Sequence, residues 1–115
     1  MIYKGTEARF TIDLEAEGFS MDEHDFDIEV VSPKGSVKGS KRAGKRADSE
    51  VVIFKDTDID SSDSDDGVWC AIAETKNLSV GELRVIATCY IPDANANDGI
   101  RIEVAPSSLD RLVNP

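Results

Sequence analysis

Histidine occurs once in this sequence, at His24, and cysteine twice, at Cys70 and Cys89. The cysteines are not spaced as metal ligands and the histidine lies apart from both, so a zinc site has no donor set. Aromatic residues are also sparse, with one Trp, two Tyr and four Phe. They are scattered along the chain, which argues against an aromatic-lined sugar cleft. Basic residues are outnumbered, 13 against 23 acidic, for a net charge of −10. That balance repels nucleic acid and anionic membranes from most of the surface. No apolar run approaches the length of a membrane span. The opening Met1-Ile2-Tyr3-Lys4-Gly5 lacks the apolar core of a signal peptide, so synthesis in a cytosol is expected.

What is present is enough for one domain. The chain has 115 residues, 40% of them hydrophobic, and can bury a core without disulfide or metal staples. Strict alternation dominates. Ala8, Phe10, Ile12 and Leu14 alternate with Arg9, Thr11 and Asp13; Phe26, Ile28 and Val30 alternate with Asp27 and Glu29. Each is the pattern of a half-buried strand. Val51-Val52-Ile53-Phe54 is continuously apolar and reads as a strand covered on both faces or as an inner strand. Val68 to Ala73, then Leu83, Val85, Ala87, Cys89 and Ile91, supply two more strands. Were these two a hairpin turning near Ser79 and Val80, Cys70 and Cys89 would face one another; otherwise both are buried free thiols. Asp93-Ala94-Asn95-Ala96-Asn97-Asp98-Gly99 has turn composition. Ile100, Ile102 and Val104 then form a last strand with Arg101 and Glu103 outward, ended by Pro106. A further strand is expected around Val37 or at Ile2-Tyr3. The expected fold is all-β: an antiparallel immunoglobulin-like β-sandwich of about seven strands over residues 1–106, followed by a C-terminal tail, 107–115.

Charge collects in two stretches. Lys34, Lys38, Lys41, Arg42, Lys45 and Arg46 share one Gly- and Ser-containing segment with no acid among them. Read as a loop, it is a candidate arm for an acidic partner; without interleaved aromatics it is poorly suited to stacking on bases. Asp56, Asp58, Asp60, Asp63, Asp65 and Asp66 fill the next loop. Their spacing imitates the start of a calcium loop, but Ser61 stands where the Gly belongs and Gly67 where the Glu belongs. The segment beginning at Asp93 fails the same test at Asp98 and Val104. No nucleophile has an adjacent base, so no enzyme, catalytic residue, metal or cofactor is expected. Leu109, Leu112 and Val113 form an apolar cluster that a free tail does not need, and join the basic residues as candidate partner contacts.

Gly5-Thr6-Glu7-Ala8-Arg9-Phe10-Thr11-Ile12-Asp13-Leu14, followed by Asp25-Phe26-Asp27-Ile28-Glu29-Val30, resembles the opening of N-terminal domains on bacteriophage baseplate and fibre proteins. Gly67-Val68-Trp69-Cys70-Ala71-Ile72, Gly81-Glu82-Leu83-Arg84-Val85 and Tyr90-Ile91-Pro92-Asp93 continue the likeness, and the chain resembles versions carried by phages of Bacteroides-type hosts, including crAss-like phages. The resemblance implies a non-enzymatic adaptor or decoration module of the virion, bridging capsid, baseplate or fibre proteins. Its partners would be other virion proteins and further copies of itself, with assembly in the bacterial host cytoplasm. The rival reading is a calcium- or carbohydrate-binding adhesion module; a nucleic-acid-binding accessory protein using residues 34–46 is a weaker third.

Overall fold

Phe26, Ile28 and Val30 are fully buried, and the strand that carries them lies in the middle of a wide sheet. Their alternation with polar neighbours is what a strand needs to face a core on one side. The computed structural model describes residues 1–42, 45–46, 49–57 and 67–115, with backbone alone for Lys45 and Arg46. Nine strands run through these residues: β1 Ile2–Tyr3, β2 Glu7–Thr11, β3 Phe26–Ser32, β4 Gly35–Arg42, β5 Lys45–Arg46, β6 Val51–Asp56, β7 Val68–Glu74, β8 Gly81–Pro92 and β9 Ile100–Val113. No helix occurs among the described residues. The strands form two sheets, a six-stranded one in the order β1-β9-β8-β3-β4-β5 and a three-stranded one in the order β2-β7-β6. The all-β expectation holds.

The core lies between the sheets. Phe26, Ile28, Val30, Val37, Leu83, Val85 and Ala87 come from the larger sheet, and Val51, Ile53, Ala71 and Ala73 from the smaller. Each large side chain removed from water stabilises the fold by roughly 1.5–3 kcal/mol relative to leaving it exposed. Trp69 closes one end of this layer, its ring edge-on to Phe26 at 5.8 Å. At Gly39 the two sheets touch through backbone. A Cβ there would collide with the carbonyl oxygen of Val51, so only glycine fits.

Several sequence expectations are corrected. Among the described residues the apolar run in β6 is an edge strand, not an inner one, and its alternate residues are only half-buried. The strands β7 and β8 are not a hairpin; residues 75–80 carry the chain from one sheet to the other. Cys70 and Cys89 therefore sit in different sheets as buried free thiols. Pro106 does not end the last strand. It lies inside β9 opposite Ile86, where β9 has no neighbour on its other side among the described residues, and an edge strand tolerates the missing N–H. Residues 107–113 thus belong to the sandwich and are not a tail. Leu112 is fully buried, and its strand pairs in parallel with β1 through Ile2↔Leu112 and Tyr3↔Val113.

Candidate interaction face

The outer surface of the six-stranded sheet is set by register. On β8, Leu83, Val85, Ala87, Cys89 and Ile91 face the core. Residues directly opposite in an antiparallel pair share a face. Arg101 and Glu103, opposite Ile91 and Cys89, therefore lie on the core side of β9. Ile100, Ile102 and Val104, opposite Pro92, Tyr90 and Thr88, point outward and are 50%, 60% and 60% exposed. This reverses the expected orientation of the strand. Arg101 can occupy the inner side because polar groups meet it there. It donates to Asp93 at 3.2 Å and to the Glu17 carbonyl at 2.7 Å, and pairs with Glu103 at 3.0 Å.

The result is an apolar row, Ile100, Ile102, Val104 and exposed Pro106, with half-buried Ile86 beside it on β8. Single exposed aliphatics need no explanation, but a contiguous row on a flat sheet marks a contact surface. Across β3 and β4 the same face turns polar. Asp27 is 4% exposed although it points outward, because Tyr90 and Arg42 cover it. Tyr90 Oη donates to its Oδ2 at 2.6 Å and Arg42 Nη1 to its Oδ1 at 2.9 Å; Lys38 Nζ stands 4.0 Å away. Burial pushes the Asp27 carboxyl up, but hydrogen bonds from Ser40, Tyr90 and Arg42 outweigh it and hold the group below its ordinary value. The same bond to Asp27, helped by burial, raises the Tyr90 phenol. An apolar strip with a satisfied polar border has the layout of a protein-binding surface.

The basic residues do not form one arm. Strand alternation divides them between the faces of β4. Lys34 is exposed in the β3–β4 turn, while Lys38 and Arg42 lie on the outer face around Asp27. Lys41, expected to be a partner contact, is only 8% exposed and points inward. Its ammonium donates to the carbonyls of His24 at 2.8 Å and Asp22 at 3.2 Å, and stands 5.8 and 5.6 Å from the Phe26 and Trp69 ring centres. Burial lowers its pKa. Lys41 is thus a plug over the end of the core. The backbone of Lys45 and Arg46 pairs with Arg42 and Lys41; their side chains lie outside the described residues.

Leu112 is core, Leu109 is partly buried against it and Val113 is half-buried beside β1, so this cluster serves the fold. Of the aspartate segment, residues 58–66 lie outside the described residues. Asp56 is in β6 and pairs with Arg9, which also lies over the Phe54 ring. No group of three or more His, Cys, Asp or Glu suited to a metal ion occurs among the described residues. Alternation found the strand that carries Ile100, Ile102 and Val104, but not its orientation, which comes only from pairing with β8. Comparisons with family models, with curated proteins and with solved structures found no match.

Proposed function

We propose that this chain is a non-enzymatic, immunoglobulin-like binding module of a phage virion, an adaptor or decoration protein whose contacts are made by the outer face of the larger sheet. The observation that carries the contact surface is the row of aliphatic side chains at positions 100, 102 and 104, each at least half exposed. Leaving such a row in water forgoes burial, and a partner that covers it recovers that stabilisation. The strand order supports the immunoglobulin-like connectivity. The set β9-β8-β3-β4-β5 against β2-β7-β6 is the order that a variable-type arrangement with its extra strands on the larger sheet would give, and the parallel β1 lies at the edge of that sheet. The virion assignment rests on the likeness of segments 5–14, 25–30 and 67–93 to phage baseplate and fibre domains.

The test is incorporation. Phage particles purified by density gradient from the source culture should contain the protein by mass spectrometry. When supplied in trans, the wild-type chain should be retained on particles and the Ile102→Lys/Val104→Lys double variant should not. Absence of the protein from purified particles would sink the virion reading. Equal retention of the double variant would remove the outer face from it.

A further inference from the structure

The two sheets are unequal, and the mismatch leaves one strand uncovered. On β8, Ala87 and Val85 are 2% and 8% exposed beneath the smaller sheet. Their direct partners on the same inner face of β9, Ala105 and Ser107, are both exposed. The reason is that the smaller sheet ends at β2, whose outer edge has no neighbour among the described residues. Between that edge and β9 runs an apolar cleft of about 320 Å³, with Phe10, Ile12 and Leu14 on one wall, Ala105 and Leu109 on the other and Ala87 at its floor. It continues into a second depression that shares Asp13, Leu14 and Ala105 and reaches Glu15 and Glu103. Along β9 the combined cleft spans residues 103–109, about 20 Å at the rise of a strand.

We propose that this cleft receives an extended segment of another protein, which adds to the smaller sheet as a fourth strand beside β2. The shape argues for a strand. The gap follows a sheet edge with unpaired backbone groups, and an added strand would place alternate side chains over Ala105 and Ser107 while pairing with β2. Pairing belongs to β2 and not to β9, because Pro106 removes a donor from the β9 edge. The occupant's chemistry follows from the lining: apolar at alternate positions, with Lys or Arg at one end. Asp13 and Glu15 are exposed at the cleft's acidic end, and no cation pairs with either among the described residues. The first strand of the chain is held elsewhere, β1 pairing with β9 through Ile2↔Leu112 and Tyr3↔Val113. This site opens at the edge of β9, where Val104 and Pro106 of the aliphatic row reach its rim, but its walls are on the inner side and Ile100 and Ile102 take no part in it.

The probe is a synthetic peptide of alternating Val and Thr ending in two Lys, titrated into the ¹⁵N-labelled full chain. Saturable shifts are expected in residues 7–14 and 103–109, with amide exchange along β2 slowed at least tenfold. Methylating alternate peptide nitrogens, which forbids pairing, should weaken binding at least tenfold. Ala105→Trp, which fills the cleft from an exposed position, should do the same. If that variant fails to fold, the methylated peptide decides. The proposal is overturned by an absence of saturation at about 1 mM peptide, by shifts confined to the outer face, or by equal binding of the methylated peptide. Self-association without peptide that Ala105→Trp abolishes would assign the cleft to a second copy and overturn it as well.

Discussion

At the scale of single residues, two positions outside the aliphatic core carry much of the architecture. Gly39 holds β4 against β6, and Gly39→Ala forces a methyl group into the Val51 backbone, which cannot yield as a side chain can. Overpacking of this kind costs roughly 3 kcal/mol, to be read from the urea midpoint at unchanged slope. Lys41 is the second. Replacing it with Met keeps the stem over Phe26 and Trp69 but leaves the carbonyls of Asp22 and His24 without their donor. About 1–2 kcal/mol of destabilisation is expected, with faster amide exchange in residues 20–25. Asp27 supplies a pH dependence. Its folded pKa lies below the ordinary 3.8, so its stabilising contribution is complete above that value and is lost as pH falls through the folded one. Asp27→Asn should flatten the fall of the melting temperature between about pH 5 and about pH 2. An unchanged acid slope in the variant would show that the stability lost in acid comes from other carboxylates. None of these roles is visible in the sequence. Gly39 looks like one of several loop glycines, and Lys41 is one charge in a run of six bases until strand phase separates it from Lys38 and Arg42.

At the scale of elements, alternation was enough to find β2, β3 and β8, an uncharged run found β7, and turn composition found the connection that starts at Asp93. It could not say which side of a strand meets the core. In β9 the aliphatic phase lies outside because the register with β8 places Ile102 beside Tyr90 and Glu103 beside Cys89. Nor could it say that a proline would sit inside the longest strand, since that depends on having no neighbour at one edge. The basic segment was read as a loop because charge and glycine outweighed the single Val37, yet β3 imposes a full ladder on it from Phe26↔Lys41 to Ser32↔Gly35. These reassignments have a direct consequence. Deleting residues 107–115 removes Leu112 from the core and the strand that pairs with β1, so the truncated chain should lose cooperative unfolding. A folded, particle-competent truncation would contradict the placement of β9.

At the scale of the molecule, the outer face differs in charge from the body that carries it. The chain bears −10, whereas Lys38, Arg42 and Arg84 on this face offset Asp27, Glu29 and Glu82 around the aliphatic row. Two copies repel through most of their surface and least through this one. If copies repeat on a particle by meeting here, salt separates the two contributions. Added salt screens the repulsion between the bodies over a Debye length of about 10 Å at 0.1 M, and leaves apolar burial nearly untouched. Self-association measured by sedimentation velocity should therefore strengthen between low and moderate salt, and Ile102→Lys/Val104→Lys should abolish it at both. That variant should keep its fold within about 0.5 kcal/mol, because neither side chain is buried. An association that weakens with salt would mean that opposite charges hold the copies together, and would shift the contact from β9 to the charged border on β3 and β4.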